Sequence, residues 1–310
     1  MSSFQCITIG SALVDVFVHS DSFKEQESGE LRLEGAVVGG KLEIERLFVA
    51  SGGGASNVAV GLARLGFETA CLAETGQDAF SAIVVREMQK ENVDTRLLIH
   101  EKKEQTGGSV ILVSDQGGRT VMVHRGAASQ LDPQDIPPYW LSQAGWLHLG
   151  NLGGQVETVR KIFSLGKKQT DQRISWNPGG ADLQLFVNRE LAPSELRVDV
   201  LFVNKTEWDV VESVQEDLLK QISQIVITDG KRGGDIYLAG KHSYHFPVTE
   251  VKAVDETGAG DAFAAGYIGG LLVGKPAQEA VVWGVRNAQS VIQYFGAKKG
   301  LLVRDQVEAA

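Results

Sequence analysis

A glycine-rich turn followed directly by an aspartate is the part of this sequence best suited to chemistry. In VDETGAGDAFAAGY (254–267), the small residues Gly258, Ala259 and Gly260 precede Asp261 and then an apolar run. The run predicts a buried helix, whose N-terminal N–H groups carry partial positive charge. Because small residues let a ligand oxygen approach the backbone closely, the turn is suited to a phosphoryl group, with Asp261 placed to remove a proton. An acid in a first helical turn is also common as a cap, so a structural role is the alternative.

Two well-known phosphate-binding loops are excluded. No G-x-x-x-x-G-K-[ST] sequence occurs, so a Walker-type loop is absent from the sequence. The segment SGGGASNVAVGLARLG (51–66) is rich in glycine but lacks the G-x-G-x-x-G spacing of a dinucleotide-binding turn. The turn before Asp261 is therefore the leading phosphate site.

The elements that must position this turn alternate between strands and helices. Several of the predicted strands are apolar almost throughout, as in a parallel sheet covered on both faces. Helical spacing appears between them at 79–91 and 156–168. This alternation predicts an α/β fold, a three-layer α/β/α sandwich with a mostly parallel central sheet and right-handed crossovers. The predicted strands are CITIG (6–10), TACLAE (69–74), WLHLG (146–150), RISWN (173–177), DVLFVN (199–204) and QIVITDG (224–230).

Two regions depart from the alternation and predict a small β-sheet lid. Residues 14–50 contain the short runs VDVFVHS, LRLEGAVV and RLFVAS, which are typical of antiparallel strands. Residues 107–126 predict a hairpin that turns at 115–118. The lid is thus discontinuous (14–50 and 107–126), and residues 1–13, 51–106 and 127–310 form the large domain.

Composition and charge narrow the class of protein. The net charge of −9 over 310 residues argues against nucleic-acid binding, which needs a basic face. The two cysteines, Cys6 and Cys71, show no metal or redox spacing and are predicted to be buried in a reducing compartment. No signal-peptide pattern is present, and the longest apolar run is shorter than the roughly 20 residues that cross a bilayer. We therefore expect a cytoplasmic protein with no membrane partner.

Two motifs together resemble those of the ribokinase-like (PfkB) carbohydrate kinase family. DETGAGDAFAAGY resembles the C-terminal signature of that family, usually D-T-x-G-A-G-D, and SGGGASNVAVGLARLG resembles its N-terminal signature. The two motifs occur in the family's order and about two hundred residues apart, and the resemblance covers residues 4–303. It implies transfer of the γ-phosphoryl group of ATP to a hydroxymethyl group of a small sugar, with Mg²⁺ as cofactor.

The resemblance also implies roles for individual residues near the acceptor. Asp261 takes the role of the base, and the N–H groups of 258–260 form the anion hole for the migrating phosphoryl group. Asp15 matches an aspartate that binds sugar hydroxyls, with an exposed loop acid as the alternative. Gly53, Gly54 and Asn57 match residues that hold the sugar, since an amide both donates and accepts hydrogen bonds.

On the nucleotide side, the resemblance implies a second set of residues. Asn204 and Glu207 in FVNKTE match an N-x-x-E motif that binds Mg²⁺ through water, although the same pair is typical of a helix cap. Thr228, Gly230 and Gly233 in ITDGKRGGD resemble a nucleotide-pocket segment, with Lys231 expected in a solvated turn. Asn287 falls on the helix that flanks adenine in family members, with an exposed helical Asn as the alternative.

One departure from the family pattern concerns a monovalent cation such as K⁺. The resemblance implies such a site at Asp255 and Thr257. Glu256 stands where the family usually has Thr, and this extra carboxylate either strengthens the site or points to solvent. The sequence therefore predicts neither the presence nor the loss of this cation site.

Three functions remain in competition at this stage. A sugar kinase is the leading hypothesis. A nucleoside kinase needs an apolar wall near Asp15, for which Phe17, Phe23 and Phe48 are available. A sugar- or nucleotide-binding protein without catalysis is the non-enzymatic alternative, although a binder has no need of a base. Open strand edges in the lid also predict pairing between two copies in a homodimer.

Overall fold

This computed structural model describes residues 4–28, 31–35, 39–100, 103–114, 119–166 and 171–309. Its strands form two main sheets and one ribbon. In chain order they are β1 (Cys6–Ile9), β2 (Leu13–His19), β3 (Lys24–Ser28), β4 (Leu31–Gly35), β5 (Arg46–Gly52), β6 (Thr69–Thr75), β7 (Leu98–His100), β8 (Gly108–Val113), β9 (Arg119–His124), β10 (Trp146–Leu149), β11 (Arg173–Trp176), β12 (Val200–Asn204), β13 (Gln224–Thr228), β14 (Gly234–Leu238) and β15 (Lys241–Phe246).

Helices connect most strands of the central sheet. They are α1 (Gly54–Arg64), α2 (Ala79–Lys90), α3 (Pro138–Gln143), α4 (Val156–Gly166), α5 (Gly180–Val187), α6 (Lys205–Val210), α7 (Gln215–Gln221), α8 (Ala259–Leu272), α9 (Ala277–Val291) and α10 (Arg304–Glu308). The N-terminal ends of α1 and α8 carry the two signature motifs.

The central sheet has the order β15-β14-β13-β12-β11-β10-β1-β6-β7. Its strands are parallel from β13 to β7, whereas β14 pairs antiparallel with β13 and β15 pairs antiparallel with β14. All six strands predicted from apolar runs are present. Sequence reasoning missed the β14–β15 hairpin, which lies at the edge of the sheet: β14 is buried to partly buried, and β15 is mostly exposed.

Helices cover both faces of this sheet, as the three-layer prediction requires. Along β1, Ile7 packs in one core with Ile162 of α4, whereas Cys6 packs in another with Ile268 of α8 and Val281 of α9. Successive residues of a strand point to opposite faces, so a strand buried on both faces is apolar at every position. The predicted fold class is confirmed.

The smaller sheet has the order β5-β2-β8-β9, and its strand directions differ in part from the prediction. β2 pairs antiparallel with β5 but parallel with β8, because the chain returns to the sheet only after passing through the large domain. β8 and β9 form the predicted hairpin, whose turn at 115–118 lies outside the described residues. The run LRLEGAVV does not join this sheet: β4 pairs with β3 in a separate ribbon, and 36–38 lie outside the described residues.

Both cysteines are buried and free, as predicted, and burial raises the pKa of Cys71 to about 11. In the part of the chain that the structure describes, every helix is too short or too polar to cross a bilayer.

Helices α8 and α9 approach each other through glycines. A Cβ atom on Gly266 would lie 2.5 Å from the carbonyl oxygen of Trp283, and one on Gly270 would lie 2.7 Å from Cα of Ala280. Both contacts are with backbone, which cannot swing aside as a flexible side chain can. This close packing sets where the first turn of α8 lies.

We predict that Gly266→Ala lowers the free energy of unfolding by about 1–3 kcal/mol, because the added methyl overpacks a rigid contact. Gly180→Ala is the matched control, since its Cβ meets nothing within 4 Å and it lies at the start of α5. Urea unfolding of both variants measures the difference. Equal stabilities would mean that α8 and α9 are not in this close contact.

Candidate active site

Asp261 lies in the first turn of α8 and is bonded to the first turn of α1. The Nδ2 atom of Asn57 donates to Oδ2 of Asp261 at 2.8 Å. Asn57 is buried, and its Oδ1 atom has no hydrogen-bond partner among the described residues. Asp261 is partly exposed. The contact therefore joins the two signature motifs and leaves a buried acceptor beside the carboxylate.

The surroundings of Asp261 raise its pKa above the ordinary value. Loss of solvation is the largest cause, and the negative charge of Asp15 acts in the same direction. The hydrogen bond from Asn57 and the positive charge of Lys298 oppose the rise. A carboxylate with a raised pKa is a stronger proton acceptor than an ordinary aspartate.

The glycine turn has a backbone that only glycine adopts easily. Gly258 has φ 78°, and a Cβ there would lie 2.3 Å from Cβ of Ala297. The N–H of Ala259 donates to the carbonyl of Glu256 at 3.2 Å. This amide is therefore already bonded, whereas the predicted anion hole requires it to be free. Gly260 and Asp261 lie in the first helical turn, where N–H groups have no intrahelical acceptor. A Cβ on Gly260 would meet nothing within 4 Å, so space lies in front of it.

Asp15 approaches the same region from the smaller sheet. It is 8% exposed, and its Oδ1 accepts a hydrogen bond from Oγ of Ser109 at 2.5 Å across the β2–β8 pairing. Burial raises its pKa, while Ser109 and the charge of Lys298 lower it. A Cβ on Gly52 would overlap Oδ2 of Asp15, so any larger residue at this position would displace the Asp15 carboxylate.

Gly53 and Gly54 bring the chain from β5 close to both carboxylates. Gly53 has φ 92°, and a Cβ there would lie 2.5 Å from the carbonyl oxygen of Ser11. The N–H of Gly54 donates to Oγ of Ser11 at 3.1 Å. A Cβ on Gly54 would lie 3.3 Å from Oδ1 of Asp261, so a larger residue would crowd the carboxylate.

Lys298 is a residue of this site that sequence reasoning missed. Its Nζ atom donates to Oγ of Ser51 at 2.6 Å and to Oγ of Ser56 at 2.5 Å. Loss of solvation lowers its pKa to about 8, against the opposing attraction of Glu87 and other negative groups. Its charge acts on both Asp15 and Asp261. The segment FGAKKG gives no local signal for this, because the partners lie more than 240 residues away.

A cavity of about 380 Å³ lies on the other side of the glycine turn. Predicted residues that line it are Asn204, Thr228, Gly230, Gly233, Ala259 and Gly260. Lys231 lies in a solvent-exposed turn, as expected, and it also lines the cavity. Much of the remaining wall is apolar and consists of Phe246, Val248, Val251, Ala253, Phe263, Val285, Ala288 and Ile292.

Asn204 and Glu207 form the helix cap that was the alternative to a ligand role. Oδ1 of Asn204 accepts from the N–H of Glu207, and Oε2 of Glu207 accepts from the N–H of Asn204, both at 2.8 Å. Burial raises the pKa of Glu207. Nδ2 of Asn204 takes no part in the cap, and Asn204 lines the cavity, whereas Glu207 is not among the lining residues.

Asn287 was predicted at the nucleotide site, and the structure places it elsewhere. It is fully buried; its Nδ2 donates to the carbonyl of Ala262 at 2.7 Å, and its Oδ1 accepts from the N–H of Leu302 at 2.9 Å. Other residues of α9, including Ala288 and Gln289, line the cavity instead. Helix α9 thus lines the cavity, but Asn287 lies on its buried face away from the cavity.

Asp255 and Thr257 do not fit the monovalent cation site that the resemblance implies. Oδ1 of Asp255 accepts from the guanidinium of Arg119 and from the N–H of Thr257 at 2.9 Å. Oδ2 accepts from the N–H of Gly296 at 2.9 Å. Arg119 also donates to Oγ1 of Thr257 at 3.3 Å. The guanidinium of Arg119 therefore occupies the position where a bound cation would contact the oxygens of Asp255 and Thr257.

Comparison with known proteins connects this geometry to a family. A model described as pfkB family carbohydrate kinase matches residues 7–303. A fructokinase from Klebsiella pneumoniae is 31% identical over 244 residues, covering 73% of this chain and 78% of that protein. A nucleoside kinase from Methanocaldococcus jannaschii is 23% identical over 260 residues, covering 83% of each. A ribokinase from Arabidopsis thaliana, complexed with ribose and ATP, has TM-score 0.76 at 20% identity, covering 99% of this chain and 98% of that chain.

We predict that Asn287→Ala lowers the free energy of unfolding by about 2–5 kcal/mol, because it leaves two buried backbone groups without partners. Gln289→Ala, on the same helix but at the cavity, should change stability far less. Chemical denaturation of the two variants measures this. A stable Asn287→Ala protein with weakened nucleotide binding would restore the original assignment.

Proposed function

The chain belongs to the pfkB family of carbohydrate kinases, phosphotransferases with an alcohol acceptor, and from this premise we propose the following reaction. The protein transfers the γ-phosphoryl group of ATP to a hydroxymethyl group of a small sugar, and Asp261 acts as the base. The start of α8 separates the nucleotide side of the site from the acceptor side.

One observation carries this proposal. Ala259 and Gly260 line the cavity of nucleotide size, while the next residue, Asp261, faces Gly54 and Asn57. A phosphoryl group in front of the helix start therefore has ATP on one side and an acceptor alcohol on the other. In-line transfer between two oxygens needs this arrangement.

On the acceptor side, several groups suit a polyol. The unpartnered Oδ1 of Asn57 is a buried acceptor for a hydroxyl, and Oδ2 of Asp15 is a second acceptor. The smaller sheet carries Asp15 and covers the cleft. We propose that it acts as a lid that excludes water, so that ATP is not hydrolysed without an acceptor.

During transfer, Asp261 accepts the proton of the acceptor hydroxyl while the oxygen attacks phosphorus and the bond to the β-phosphate oxygen breaks. The N-terminus of α8 and the charge of Lys298 stabilise the negative charge that develops. Mg²⁺ bound to the phosphates would neutralise further charge, with Glu207 and Asn204 as the residues able to hold its waters.

A nucleoside acceptor is the second candidate, and an aromatic cluster favours it. Phe17 lies two residues after Asp15 on β2 and so on the same face. Its ring lies 6.0 Å from that of Phe48, and both line a cavity of about 160 Å³ with Phe295. Such a wall suits a base. The Methanocaldococcus jannaschii relative is a kinase of this acceptor class.

The homodimer and the cytoplasmic location stay predictions. Exposed apolar side chains on the smaller sheet support pairing with a second copy; they are Leu47, Val121, Met122 and Val123.

We predict that the protein, mixed with ATP and Mg²⁺, forms ADP with one acceptor class in a panel of pentoses, hexoses, keto-deoxy acids and nucleosides.

We predict that Asp261→Asn retains acceptor binding and loses about 10²–10⁴-fold in kcat, the scale of acid–base catalysis. Asp305→Asn, an exposed first-turn acid in α10, is the matched control. Acceptor binding without phosphorylation across the panel would favour the binding-protein alternative. An unchanged kcat for Asp261→Asn would show that Asp261 is not the base.

We predict that Lys298→Met moves the acidic limb of the kcat/KM profile to higher pH. Asp261 is active when ionised, and this form is lost as pH falls through its pKa. Because the charge of Lys298 holds this raised pKa down, its removal raises the pKa further.

Lys241→Met, which removes an exposed lysine of the edge strand β15, is the control and should follow the wild-type profile. The position of the limb does not depend on the fraction of folded protein, so modest destabilisation does not interfere. Superimposable profiles for Lys298→Met and wild type would contradict the role of Lys298.

A further inference from the structure

Arg119 connects the smaller sheet to the loop that precedes the glycine turn. It is the first residue of β9 and pairs with Val113 of β8. Its guanidinium contacts Oδ1 of Asp255 and Oγ1 of Thr257, residues 136 and 138 positions further along the chain. The Arg119 side chain is 27% exposed and that of Asp255 is 1% exposed. The proposed lid thus supplies a cation to a buried acid of the large domain.

Asp255 organises two loops, and it does so as a buried carboxylate. Its oxygens accept from the N–H of Thr257, within its own loop, and from the N–H of Gly296, in the loop after α9. A buried carboxylate is stable only with a compensating positive charge and hydrogen bonds. Among the described residues, Arg119 is the cationic side chain bonded to it.

The two loops in turn fix the start of α8. Gly258 packs directly on Ala297, with no space for even a methyl group between them. Asp255 lies three residues before Gly258, and Gly296 lies one residue before Ala297. A shift of either loop would therefore displace the first turn of α8, which carries Asp261.

We propose that Arg119 takes the place of a bound monovalent cation in this protein and that it positions the glycine turn when the lid is closed. A guanidinium stays charged at all working pH values and contacts Asp255 and Thr257 together. Because Arg119 belongs to the lid, the loop before the glycine turn receives this positive charge only when the lid is closed. Turnover should then need no added K⁺. This inference rests on the proposed kinase function.

The test compares K⁺ with tetramethylammonium, a cation too large for such a site, at equal ionic strength. Wild-type turnover should be the same in both salts. Arg119→Ala should lose about 10–100-fold in tetramethylammonium, because the reacting groups are misplaced, and should regain activity with K⁺ in a saturable manner. Arg86→Ala, an exposed arginine on α2, removes the same charge and should behave as wild type in both salts.

A second measurement on the protein without substrates keeps the inference separate from the proposed function. K⁺ should raise the thermal unfolding midpoint of Arg119→Ala relative to tetramethylammonium and leave that of wild type unchanged. Activation or stabilisation of wild type by K⁺ would overturn the proposal. So would an Arg119→Ala protein without any cation dependence. If no acceptor is phosphorylated, the proposed function fails, and the unfolding measurement still decides the role of Arg119.

Discussion

The hydrogen bond between Asn57 and Asp261 requires the first turns of two helices to meet at one point, and the rest of the cleft is arranged around that meeting. Helices α1 and α8 come together through small residues, because a Cβ on Gly61 would lie 2.6 Å from Cβ of Ala265. Glycines in α8 also let α9 approach its other side. The position of the carboxylate is therefore a consequence of core packing along the whole helix, and a rigid interior transmits that packing to the cleft.

Electrostatics in the cleft are local and do not follow the net charge of −9. Asp15, Asp255 and Asp261 all lie near the start of α8 and would repel one another if left alone. Lys298 acts on Asp15 and Asp261, and Arg119 is bonded to Asp255. These two cations and the helix N-terminus offset the negative charge of the three carboxylates within an acidic protein.

Individual residues show how far sequence reasoning reached. Asp261 and Gly258 stand in a contiguous motif, and their backbone roles follow from neighbours along the chain. Asn287 was predicted to face the nucleotide and lies instead on the buried face of α9, because sequence position fixes a residue's neighbours along the helix but not the element that packs on it. Lys298 and Arg119 gave no signal, since each acts on partners more than 130 residues away. The parallel pairing of β2 with β8 was missed for the same reason.

By itself, the sequence determined the strand–helix alternation of the parallel part of the central sheet, its fully buried strands and the glycine turn that begins α8. These features depend on local backbone preferences and on the period of apolar residues, and both are determined by residues close together in the sequence. Only the tertiary structure decided which charges meet and which side chains face the cleft. Coulombic and hydrogen-bond energies depend on distances between atoms, and packing sets those distances between segments that are far apart in the chain.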